Sequence, residues 1–176
     1  MKLRYTTVDL AILAVVAAVF GAVFAYTWTP YYVIKAIGGK PVAVLLTYGI
    51  WYMAAPLAAS LVRKPFSAFL GETLAGFVES IMPQISGFSA LIYALMQGIF
   101  SEIPYTATRY KRFGVAEAAV SGGLPAIPSI LLDIYLWGSV YPPKMFTMML
   151  ILAAVSGAIY GAIGYTIAKT VSGKTA

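Results

Sequence analysis

Four stretches of the chain carry no charged residue: 10–34, 41–62, 80–101 and 145–168, of 25, 22, 22 and 24 residues. Each reaches the roughly 20 apolar residues that a helix needs to cross the hydrocarbon core of a bilayer. Two further helical segments fall between them, giving six predicted helices at 7–28, 41–62, 65–82, 87–110, 115–137 and 144–171. The punctuation agrees with these bounds. "IGGKP" precedes the second helix, "RKP" the third, "MPQISG" the fourth and "VYPPK" the sixth, all Gly- and Pro-rich breakers. The pattern predicts an all-α integral membrane protein with six transmembrane helices, built as one unit over residues 1–176 without an internal repeat.

Composition supports that class. Of the 176 residues, 61% are hydrophobic, against about 45–50% in soluble domains, and the mean hydropathy is +0.85. The chain has neither Cys nor His, which removes disulfides, thiolate chemistry, His-based triads and the usual zinc sites. The net charge of +6 does not indicate nucleic acid, because the basic residues sit in short clusters between apolar runs. Such clusters report topology. A signal peptide ending near Ala25 fits poorly, since the apolar run is long and follows Asp9 directly. It reads as a retained first helix.

The basic residues divide unequally between the two ends. Lys2, Arg4, Arg63, Lys64, Arg109, Lys111, Arg112, Lys169 and Lys174 make nine on one side, with Lys35, Lys40 and Lys144 on the other. The positive-inside rule then predicts cytoplasmic N- and C-termini. The outer side carries one long connection, "TWTPYYVIKAIGGK" (27–40), read either as an interfacial aromatic belt or as a lid over a pocket.

The polar residues inside the spans carry the candidate chemistry. At 1.5 Å per residue, Tyr48, Trp51, Glu79 and Gln97 all fall in the outer half, roughly 10–15 Å below the surface. Glu72 lies about 10 Å deeper than Glu79 on the same stripe, seven residues away. A carboxylate at such depth costs at least about 2.5 kcal/mol and normally faces a cavity or a partner. Glu79, with no basic residue at its level, points to a cationic or amine-bearing ligand. Glu72 and Glu102 read better as structural, with Arg109 snorkelling beside Glu102. Asp133 is expected near the outer surface. Pro104 is expected to kink the fourth helix. The first helix shows a different pattern, Ala14, Ala18 and Ala22 every four residues, a small-residue ridge that lets another helix approach closely.

Six helices with this Ala ridge resemble the substrate-binding S components of energy-coupling factor transporters. "YGIWY" (48–52), "RKP" (63–65) followed by Glu72 and Glu79, and "QGIFSEI" (97–103) resemble the YkoE-type S component, associated with thiamine or its hydroxymethylpyrimidine precursor. The resemblance implies a non-enzymatic protein of a prokaryotic inner membrane. It would bind the vitamin outside and work with a transmembrane T component and two ABC ATPases, without a cofactor of its own. The chain lacks a phosphate-binding P-loop sequence, so ATP hydrolysis would belong to the partners. T-component contact carries over to Ala14, Ala18 and Ala22. The expected substrate contacts are Glu79, Gln97, Tyr48 and Trp51, with Trp28, Asp133 and Glu72 beside them. An aromatic face and a carboxylate suit the thiazolium cation, and Glu and Gln suit the aminopyrimidine edge.

Two other classes compete. A stand-alone secondary carrier or channel would use Glu72, Glu79 and Glu102 as a cation path, although no inverted repeat supports it. An intramembrane enzyme would need a carboxylate or Ser/Lys mechanism, with its acids on separate levels and its bases at the faces.

Overall fold

The computed structural model describes residues 4–173, so Lys2 and Lys174 of the charge distribution lie outside the described residues. Regular structure among them is helical throughout: α1 (Thr7–Thr47), a 3-10 turn (Ile50–Tyr52), α2 (Ala54–Val62), α3 (Ser67–Ile81), α4 (Ser89–Ala107), α5 (Val115–Gly123), α6 (Ala126–Trp137) and α7 (Pro143–Val171).

The largest departure from expectation is in α1. Residues 27–38 are not a connecting loop but continue the first helix, which breaks only at Gly39 (φ 78°, ψ 168°) before resuming to Thr47. The breakers in this stretch mislead for a physical reason. Pro30 removes one N–H without leaving helical backbone. Gly39 alone adopts the positive φ that glycine tolerates without a Cβ penalty, and Pro41 then suits the first turn of the next segment.

Two predicted helices are each split. The second pass is interrupted at Tyr48–Met53, where the 3-10 turn shifts the backbone pairing and turns Tyr48, Trp51 and Tyr52 inward. The fifth pass breaks between Gly123 and Ala126, around Pro125. Beside that break, Gly122 and Gly157 meet backbone to backbone, so that a Cβ on either would run into the other's carbonyl. α5 and α7 therefore pack at the closest approach two helices allow. α4 runs through Pro104 as one helix, and the broken passes are the second and fifth instead.

α2 is the central element, with every residue from Ala54 to Ser60 buried. Leu13, Val16, Phe20 and Phe24 of α1 pack against Met53, Leu57 and Val62, with Ala75 of α3 and Ala168 of α7. A second apolar cluster joins Tyr31, Val44 and Tyr52 to Ala126, Ile130, Met149 and Ala153. The outside is apolar as well. α7 exposes Ile151, Val155, Ile159, Ile163 and Ile167 at every fourth position, a stripe left open by the described residues. Thr7–Val62, Val115–Trp137 and Pro143–Val171 are long and apolar enough to cross a membrane.

The loops gather at two ends. At one, Tyr5 Oη donates to the Pro65 carbonyl at 2.6 Å, Lys64 pairs with Asp9, and Phe66 packs near Tyr110. Arg4, Arg63, Arg109, Lys111 and Arg112 belong to these segments. At the other, Lys40 reaches Ser139 at 3.1 Å and Tyr141 closes over it.

Candidate substrate cavity

A cavity of about 240 Å³ opens among α1, the 48–52 turn, α3, α4 and α6. That is below the roughly 300–1,000 Å³ of drug-sized pockets, so it suits one compact molecule. Each element contributes by helical spacing. α1 supplies Trp28, Tyr31, Tyr32 and Lys35, and the second pass supplies Tyr48, Trp51 and Tyr52. α4 gives Tyr93 and Gln97, and α6 gives Ser129, Asp133 and Trp137. Residues three, four and seven apart share one helix face.

Glu79, Gln97, Tyr48, Trp51, Trp28 and Asp133 all line this cavity, whereas Glu72 does not. Glu79 projects from α3 with its Oε1 accepting the Trp28 indole N–H at 3.0 Å. Its Oε2 meets no donor among the described residues. Trp28 is the hub of the aromatic wall: its ring lies 5.1 Å from Trp51, 6.1 Å from Trp137 and 6.0 Å from Tyr32, the last pair stacked. The Trp51 indole N–H donates to the Phe24 carbonyl at 3.2 Å and lies beside the Glu79 carboxylate as well. Gln97 donates to Ser129 Oγ at 3.0 Å and keeps its amide oxygen free. Tyr52 Oη is buried, unpaired and on the cavity wall.

Asp133 lies at the Lys40–Tyr141 end of the bundle, the level expected of it, but enclosed by protein. It is buried and accepts from Tyr48 at 2.7 Å, Tyr93 at 2.8 Å and Tyr141 at 3.1 Å, with Lys40 Nζ at 3.2 Å. Its four partners come from the kink within α1, the Tyr48 turn, α4 and the loop before α7. The side chain ties the cavity's rim together, and its lone pairs are taken.

Glu72 and Glu102 serve helix starts. The 3-10 turn leaves the first N–H groups of α2 without helical partners, and Glu72 Oε2 accepts from Ala55 N–H at 2.9 Å. Glu102 likewise accepts from Phe66 and Phe69 N–H at 2.7 and 2.9 Å, at the start of α3. The structural reading of Glu102 holds with a different partner: backbone amides take the place expected for Arg109, because a helix N-terminus offers several aligned donors. Asp9 and Glu117 cap α1 and α5 within their own first turns. Four of the six acids thus finish helices and Asp133 is bound in its tyrosine cluster. Among the described residues, Glu79 is the acid that turns an oxygen without a hydrogen-bond partner toward the cavity, while the unpartnered Glu72 Oε1 is buried outside the lining.

Sequence reasoning missed Tyr31, Tyr32, Lys35, Lys40, Tyr52, Tyr93, Ser129 and Trp137 of the lining. The signal was present as stripes: 28/31/32/35 in a segment read as a connection, 93/97 on α4 and 129/133/137 on α6.

The family model described as "ABC-type cobalt transport system, permease component" matches residues 8–128. The Bacillus subtilis (strain 168) protein described as "Putative HMP/thiamine permease protein YkoE" is 28% identical over 166 residues, covering 93% of this chain and 83% of that one. A solved structure described as "Crystal structure of an S-component of ECF transporter" superposes with a TM-score of 0.89 at 25% identity, covering 96% of this chain and 86% of its own. These relatives are transporter components and not enzymes, which removes the intramembrane enzyme. The chain belongs to the family of the permease component of ABC-type cobalt transport systems, and the YkoE-type S-component resemblance borne by its motifs stands.

Proposed function

We propose that this chain captures thiamine, or its hydroxymethylpyrimidine precursor, from outside the cell and presents it to a T component driven by two ABC ATPases. The observation that carries the reading is the free Glu79 oxygen in a wall of Trp and Tyr faces. A carboxylate and aromatic faces together hold a permanent cation out of water. Gln97, Ser129 and Tyr52 lie on the same wall, matched to the donor and acceptor edge of an aminopyrimidine. The family description names cobalt, but divalent cobalt requires several converging donors. No group of three His, Cys, Asp or Glu side chains forms among the described residues. The donor set fits an organic cation.

In this reading the chain crosses a prokaryotic inner membrane six times with both termini cytoplasmic. The basic end of the bundle supports that orientation. Ala14 and Ala18 are exposed on α1 and Ala22 is half-buried, which leaves the ridge open to a T component. The carrier alternative finds less support, since Glu72 and Glu102 lie outside the cavity lining and accept from backbone amides, Glu72 through one oxygen and Glu102 through both.

Calorimetry on purified protein with thiamine and with hydroxymethylpyrimidine tests the reading. Glu79→Gln should weaken thiamine by roughly 1.5–3 kcal/mol, the worth of a hydrogen bond to a charged group. Unchanged affinity in that variant would remove Glu79 from the site.

A further inference from the structure

We infer that Lys35 forms a second recognition point at the cavity mouth, taking a phosphate monoester carried on the outward end of the bound cation. This rests on the cation-site reading of the cavity. Lys35 is seven residues beyond Trp28 on α1, so it lies about 10 Å further along the same helix face. It lines the cavity yet is exposed, at the outer end of the Trp28–Tyr31–Tyr32 stripe. Its ammonium sits 5.9 Å from the Tyr31 ring centroid and 5.7 Å from that of Tyr32.

The charge of Lys35 is uncompensated. The two ion pairs among the described residues are Lys40–Asp133 and Lys64–Asp9, and the remaining acids are the helix-start carboxylates and Glu79. The lining therefore has one free negative oxygen, on Glu79, and one free positive group, at the mouth. A ligand complementary to both carries a cation inside and an anion outside, on the order of 10 Å apart along α1. Thiamine's thiazolium bears a primary alcohol, the group that phosphate esterifies. An orientation with the ring at Glu79 and that alcohol toward Lys35 would satisfy both charges. Lysine binds phosphate as a mobile point charge, and the Tyr31 and Tyr32 faces hold it ready without neutralising it.

The test is calorimetry of thiamine and of its phosphate monoester on the wild-type protein, Lys35→Met and Lys144→Met. Lys144 is an exposed lysine at the same end that does not line the cavity. Lys35→Met should weaken the monoester about fivefold more than it weakens thiamine, the scale of a partly exposed ion pair. The difference should shrink in about 1 M salt, where the Debye length falls to about 3 Å, and Lys144→Met should alter neither ligand. Rejection of the monoester by the wild type, equal effects of Lys35→Met on both ligands, or no effect on the monoester overturns the assignment of Lys35 alone. Failure of the wild type to bind thiamine overturns the cation site, and the Lys35 assignment with it.

Discussion

At the residue scale, two glutamates on one stripe of α3 have separate work. Glu79 faces the cavity and Glu72 closes the start of α2. Glu72→Ala leaves the Ala55 amide buried without an acceptor, which costs about 1–3 kcal/mol. Unfolding in detergent should report that loss, while ligand affinity stays within about twofold of wild type. A Glu72→Ala protein that unfolds normally but loses ligand as severely as Glu79→Gln would contradict this separation. The difference in depth was legible from spacing, since seven residues of helix span about 10 Å. The partner was not. Ala55 becomes an orphan donor only because the backbone tightens into a 3-10 turn at Ile50–Tyr52, and apolar periodicity carries no sign of that turn.

At the element scale, the extended α1 changes what covers the cavity. A segment read as a connection, either an interfacial aromatic belt or a lid, is instead hydrogen-bonded helix up to Gly39, with Tyr31 buried beneath it and Ile37 85% exposed. Amides of residues 32–38 should then exchange slowly with solvent even without ligand, as helical amides do. Exchange at the rate of an unstructured loop would reject the helix. Gly39→Ala forces a side chain into backbone that only glycine holds easily, at about 1–3 kcal/mol. It should lower stability and loosen the Lys40–Asp133 pair one residue on. The stripe 28/31/32/35 was readable as a helix face, but Pro30 and the Gly38–Gly39 pair argued for a loop. Only the fold shows that Pro30 is absorbed and one glycine makes the turn.

At the scale of the whole molecule, the outer surface has two kinds of face. α7 presents branched aliphatic side chains at every fourth position, bulky and suited to lipid. α1 presents Ala14 and Ala18, small and suited to another helix. Ala18→Leu fills that second face without disturbing the core, since position 18 is exposed. It should leave thermal stability and ligand affinity unchanged and abolish co-purification with a T component. Normal co-purification would place the partner elsewhere. The ridge was visible in sequence because alanine spacing is local information. Its exposure was not, because which helices pack on α1 depends on the whole arrangement.

The carboxylates at the helix starts also bear on biogenesis. Ala55 waits 17 residues for Glu72, and Phe66 waits 36 for Glu102. Each of these helices is finished by the one synthesised after it, α2 by α3 and α3 by α4. Neither helix start is satisfied until the following helix has been made. A nascent chain halted after α3 leaves the Phe66 and Phe69 amides without their acceptor at the basic end of the bundle. A chain cut short there is thus incomplete in the hydrogen bonds of the helices it already has, and not only in their number.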